Sequence, residues 1–90
     1  MNEFFDLHDN IFIKMDINWS DGDATLYFSN NKIIICKNTI KIDFSRKMEW
    51  GKSICVNMYE LKKIDMYQNL SIEIQSGDII SITAEKIIFS

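Results

Sequence analysis

The sequence predicts an all-β fold: six to seven antiparallel strands in a curved sheet, a small barrel or a compact sandwich, built as one domain over residues 1–90. Three observations carry this. In Leu70–Ala84 (LSIEIQSGDIISITA), apolar residues alternate with polar ones on both sides of Ser76-Gly77-Asp78, the pattern of a β-hairpin around a glycine turn. Ile occurs 17 times and Ala only at Ala24 and Ala84, a balance that favours strands over helices, although an AT-rich genome would also enrich Ile. The links between alternating runs are too short for parallel crossovers, so the strands pair antiparallel.

Taken in order, Met1–Asn10 admits a short helix, with Asn2 as cap and Phe4 and Leu7 on one face. From Ile11 the period is two: Ile11, Ile13, Met15, Ile17 and Trp19 share a face, which places Trp19 in the core. Ser20-Asp21-Gly22-Asp23 forms a turn, and Ala24, Leu26 and Phe28 continue the apolar face of a first hairpin. Asn30-Asn31 supplies a second tight turn, because Asn tolerates left-handed backbone angles. Lys32–Lys37 (KIIICK) reads as a strand covered on both sides and broken at Asn38; Thr39–Ser45 alternates again. Arg46–Ser53 is an irregular link. Ile54, Val56 and Met58 then face away from Cys55, Asn57 and Tyr59, and Tyr59–Asn69 reads as strand, then loop. Lys86–Phe89 continues the closing hairpin or forms a terminal strand.

Composition narrows the chemistry. The net charge of −3 and the absence of a basic patch argue against nucleic acid as a partner. No run reaches the roughly 18 apolar residues of a membrane span, and acids occupy the N-terminus where a signal peptide is basic, so the expected location is cytoplasmic. Cys36 and Cys55 sit in apolar runs without metal-ligand spacing and read as thiols in a reducing compartment. Catalysis would have to use His8, the only His, and nothing in the spacing joins it to a nucleophile. Asp21-Gly22-Asp23 resembles a fragment of a calcium loop but lacks the remaining ligand positions. The expectation is no enzyme, no metal and no cofactor. Aromatic residues are the other route to function: Trp50, beside Glu49, Gly51 and Lys52, either plugs the end of the sheet or stands at a binding rim, and Tyr59 is a second candidate.

His8-Asp9, Glu49–Asn57 (EWGKSICVN) and Ile72–Ala84 (IEIQSGDIISITA) together resemble a family of small bacterial proteins similar to predicted immunity proteins of toxin systems. The resemblance spans His8 to Ala84 and marks His8, Asp9, Trp50, Gly51, Ser53, Asn57, Gln75, Ser76, Gly77 and Asp78; Lys52 departs from it where many relatives are expected to carry proline. It implies a non-catalytic protein that binds a toxin but does not say which of these positions touch it, and such a signature also fits purely architectural roles; taken with the aromatic residues, the candidate binding residues are Trp50, Tyr59, Asn57, Gln75, Asp78 and His8. Two other readings stand beside it. One is a self-associating module that pairs through an exposed edge strand, KIIICK or the terminal KIIF. The other is a carrier holding a small ligand inside a barrel, whose interior the Ile side chains would crowd.

Overall fold

The computed structural model describes residues 7–45 and 55–90. The expected N-terminal helix lies mostly outside them, as do the Arg46–Ser53 link and, with it, Trp50, Gly51 and Ser53. The described residues form one antiparallel sheet of β1 (Phe12–Asn18), β2 (Asp23–Phe28), β3 (Ile33–Ser45), β4 (Val56–Ile64), β5 (Tyr67–Ile74) and β6 (Ile79–Phe89). No helix occurs among these residues, and none is therefore long and apolar enough to cross a membrane. The strand order is β1-β2-β3-β6-β5-β4. The all-β expectation holds.

Sequence neighbours pair through tight turns wherever a residue can take positive φ. Asn30 and Asn31, both left-handed (φ 65° and 60°), join β2 to β3, as expected from their tolerance of that region. Gly77 (φ 97°) allows the β5–β6 turn, closed by hydrogen bonds from Gly77 N to Ile74 O and from Ile74 N to Asp78 O. The expected loop before Asn69 is instead a two-residue turn at Asp65-Met66, with Asp65 at φ 53°. β5 therefore starts at Tyr67. Asn38 likewise bends β3 without ending it: the strand runs thirteen residues, with Asn38 at φ 53° and its Nδ2 donating to Glu85.

Alternation builds the core. Ala24, Leu26 and Phe28 on β2, Ile34 and Cys36 on β3, Leu70, Ile72 and Ile74 on β5, and Ile80, Ile82, Ala84 and Ile87 on β6 are all buried, joined by Leu7 and Val56. Curvature brings these residues to the inner side of the one sheet. Three single-residue bulges reset the pattern, with Ile13, Ile40 and Asn57 as the extra residues. The bulge at Asn57 corrects the expected facing of β4: Val56 is buried, but beyond it Tyr59 turns inward and Met58 outward.

Two placements differ from expectation. KIIICK and KIIF belong to β3 and β6, which pair with each other in the middle of the sheet, so neither is an edge; the edges are β1 and β4. KIIICK is also not covered equally on both sides: Ile34 and Cys36 are buried, and Ile33 and Ile35 are half-buried. Among the described residues the two edges meet through a single antiparallel bridge, Ile11 to Cys55, from which β1 and β4 run in opposite directions, and no continuous ladder closes the sheet.

Candidate functional site

The sequence-derived candidates gather where that bridge forms. The chain turns at Leu7–Asn10, with Asn10 N bonded to Leu7 O and Asp9 in the left-handed region at φ 66°. Leu7 drops into the core as an anchor. Backbone bonds from Asp9 N to Val56 O and from Val56 N to Asn10 O seat this turn on the start of β4. Side chains then lock it. His8 Nδ1 donates to the Asn57 carbonyl at 2.8 Å, Gln75 Nε2 donates to Asp9 Oδ1 at 2.8 Å, and Gln75 N donates to Cys55 O at 2.9 Å. The His8 Nε2 edge lies 3.5 Å from Asp9 Oδ2, on the exposed side of the cluster.

His8, Asp9, Asn57 and Gln75 are thus brought together from three distant parts of the chain. Asp78 is separate from them, buried in the β5–β6 turn with its amide 3.5 Å from Ser76 Oγ. Tyr59 is half-buried and packs against Phe89, ring centroids 5.7 Å apart. Sequence reading missed Asn10, which is buried and central: its Oδ1 accepts from Ser29 Oγ and Asn30 Nδ2, and its Nδ2 donates to His8 O. The turn–strand grammar around Ile11 offered no signal that an Asn would join three segments.

A second feature lies at the other end of β1. Trp19, placed in the core by its period, is 91% exposed. The physical reason is that β1 ends at Asn18 and Trp19 already belongs to the turn. That turn is held by Gly22 N on Asn18 O and by Asp21 N on Asn18 Oδ1. Gly22 O in turn accepts from Thr39 N at 2.7 Å, tying the turn to β3 beyond its bend. Between them runs a groove of about 330 Å³, walled by Ile17 and Trp19 on one side and Ile40 and Ile42 on the other. Ile17 is 52% and Ile40 59% exposed, so the groove walls are apolar surface in contact with water. Asn18, Asp23 and Lys41 also line it. Asp23 is paired with Lys37 at 3.0 Å, opposite it on β3.

Among the described residues, the His8 ring contacts the Asn57 carbonyl and the neighbouring Asp9 carboxylate. Among the described residues, no three His, Cys, Asp or Glu side chains come together as a metal site. Cys36 is buried and Cys55 half-buried, and both are free thiols. Burial pushes the Cys36 thiol up to about 12, which leaves it protonated and chemically quiet at neutral pH.

No protein-family model matches the chain, and no curated protein matches it in sequence. Among solved structures, the chain is similar to an uncharacterized protein from Neisseria gonorrhoeae, with a TM-score of 0.74 and 22% identity over 92% of this chain and 91% of that one. At that identity the likeness establishes a shared fold along nearly the whole chain.

Proposed function

We propose that this chain is a non-catalytic protein-binding module that acts in the bacterial cytoplasm and neutralises a toxin by occupying it. The observation that carries the reading is the open groove at Ile17, Trp19, Ile40 and Ile42, where a Trp side chain stands almost wholly in water. Single exposed apolar residues are ordinary, but a contiguous group around an indole is what an interface anchor presents before its partner arrives. Polar groups at Asn18, Asp23 and Lys41 around this apolar centre match the usual division between an interface core and its rim. The toxin as partner rests on the sequence resemblance in His8-Asp9, Glu49–Asn57 and Ile72–Ala84. In this reading the His8–Asn57–Gln75 cluster serves as architecture that holds the turn, and the groove serves as the contact.

Co-expression with each candidate toxin of the host genome tests this directly. The wild-type chain is expected to restore growth, and Trp19→Ala, checked by circular dichroism to be folded, is expected to lose protection. Trp50→Ala tested beside it separates the two indoles. Protection that survives both Trp19→Ala and Ile40→Asp moves the interface off the groove. Failure of the wild-type chain to protect, with both proteins shown to be expressed, removes the toxin from the proposal.

A further inference from the structure

The outer edge of β4 carries a pattern that fits a second copy of itself. Beyond the bulge at Asn57, β4 pairs with β5 residue for residue from Met58 to Ile64, so its other edge is a regular row of backbone donors and acceptors. Among the described residues, no strand pairs with that edge beyond Asn57. Met58, Glu60, Leu61, Lys62, Lys63 and Ile64 are all exposed.

We propose that two copies of this chain associate through β4, antiparallel, about a two-fold axis at Leu61. Register decides the matter. Opposite residues in an antiparallel pair point to the same side, so the inner faces of two sheets remain continuous only if each residue meets one of its own parity. Among such registers, centring on Glu60 sets Glu60 against Glu60, and centring on Lys62 or Lys63 sets like charges together. Centring on Tyr59 sets Met58 against Glu60. Centring on Leu61 places Glu60 opposite Lys62 twice and Met58 opposite Ile64 twice, with Leu61 against its own copy. Every outward pair is then of opposite charge or apolar. Within one copy Glu60 and Lys62 lie 3.9 Å apart along the same side, so their charges are already arrayed for this exchange.

The other edge offers Lys14 and Asp16, also opposite in charge and 3.5 Å apart, but it is a poorer template. The bulge at Ile13 breaks its regular spacing, and the Ile11–Cys55 bridge occupies its start. A two-strand contact of seven residues is small beside a standard interface, so the dimer is weak and concentration-dependent, forming between about 1 µM and 1 mM. This inference is independent of toxin binding, because it uses β4 and leaves the groove at Trp19 open.

Sedimentation equilibrium over that range tests it with charge swaps. The wild-type mass is expected to rise from monomer to dimer. Glu60→Lys and Lys62→Glu should each weaken dimerisation by about tenfold or more, since each turns two attractive pairs into repulsive ones. The double variant Glu60→Lys/Lys62→Glu should restore it, a rescue that belongs to this register alone, and Asp16→Lys should leave it unchanged. A wild-type chain that stays monomeric throughout overturns the proposal. So does a dimer that ignores the single swaps, one that the double swap fails to restore, or one that Asp16→Lys dissolves; circular dichroism on each variant confirms that the sheet is intact.

Discussion

The β1–β2 and β5–β6 hairpins carry the same sequence signature and meet opposite fates on their apolar faces. Each alternates in period two around a short turn with a left-handed glycine, Gly22 or Gly77. In β5 and β6 the alternating residues Leu70, Ile72, Ile74, Ile80, Ile82 and Ala84 are all buried. In the first hairpin, Ile13 and Ile17 on β1 and Trp19 in the turn are more than half exposed, although Ala24, Leu26 and Phe28 on β2 are buried. The difference is position. β5 lies between β4 and β6, and β6 between β3 and β5, so curvature brings apolar side chains against them from both flanks. β1 has one ladder neighbour, and past Met15 it runs out beyond the core. Period two says which residues share a face; the place of the strand in the sheet says whether that face is covered.

The sharpest way to break this comparison is to truncate one residue from each face. Ile72→Ala removes a wholly buried side chain and should cost about 2–5 kcal/mol in urea unfolding, a large share of the roughly 5–15 kcal/mol a small domain possesses. Equal losses at Ile72 and Ile17 would mean that the groove is closed in solution.

The covered face should also show in pH dependence. Cys36 sits beside Ala24 and Ile87 in one inner row and is held near 12, above the unfolded value of 9.0. Above pH 9 the unfolded chain releases its thiol proton while the folded chain keeps it, so folding stability falls as pH rises. The slope from this group approaches about 1.4 kcal/mol per unit between the two values. Comparing wild type with Cys36→Ala isolates it: the stability gap between them should shift against the wild type from pH 9 to 10.5. A gap that does not change places the thiol in contact with water.

The turns offer the reverse control, because there the two hairpins should behave alike. Gly22→Ala and Gly77→Ala each force a side chain into the left-handed region, at φ 76° and 97°, and each should cost about 1–2 kcal/mol. Added bulk is no obstacle at Gly22, where a new Cβ would come no nearer than 3.8 Å to Asn38 Cα. A smaller loss is expected from Gln75→Ala, about 0.5–1.5 kcal/mol, as the exposed bond to Asp9 disappears while the backbone bond to Cys55 remains.

Much of the fold was legible because it rests on local rules. Glycine and asparagine at the turns, alternation along β2, β5 and β6, and the short links between them all point to antiparallel hairpins, and the strands lie there. What was hidden depends on contacts distant in sequence. A bulge inserts one residue without a composition of its own, so Ile13, Ile40 and Asn57 gave no notice that the facing of each strand would shift. KIIICK or KIIF stood as the candidate edge in the self-association reading, yet they pair with each other, a choice made by sheet order rather than by either segment. At the candidate site, His8, Asp9, Asn57 and Gln75 stood out one by one. Their meeting required the turn at Leu7–Asn10 to fold back onto β4, and the groove required β3 to bend at Asn38 towards the turn after Trp19.

Ile17 yields the smallest effect and the most informative one. It lies on the inner side of β1, opposite buried Ala24, so a reading from alternation alone makes it core and assigns Ile17→Ser a loss of several kcal/mol. Its side chain instead stands half in water on the groove wall, where the new hydroxyl would be solvated and little packing would be lost. The expected change in urea unfolding is within about 0.5 kcal/mol. In the co-expression assay, by contrast, Ile17→Ser should weaken protection as Trp19→Ala does. A residue that stability ignores and partner binding requires is held apolar by something outside the fold, and that separation would set β1 apart from every other strand of the sheet.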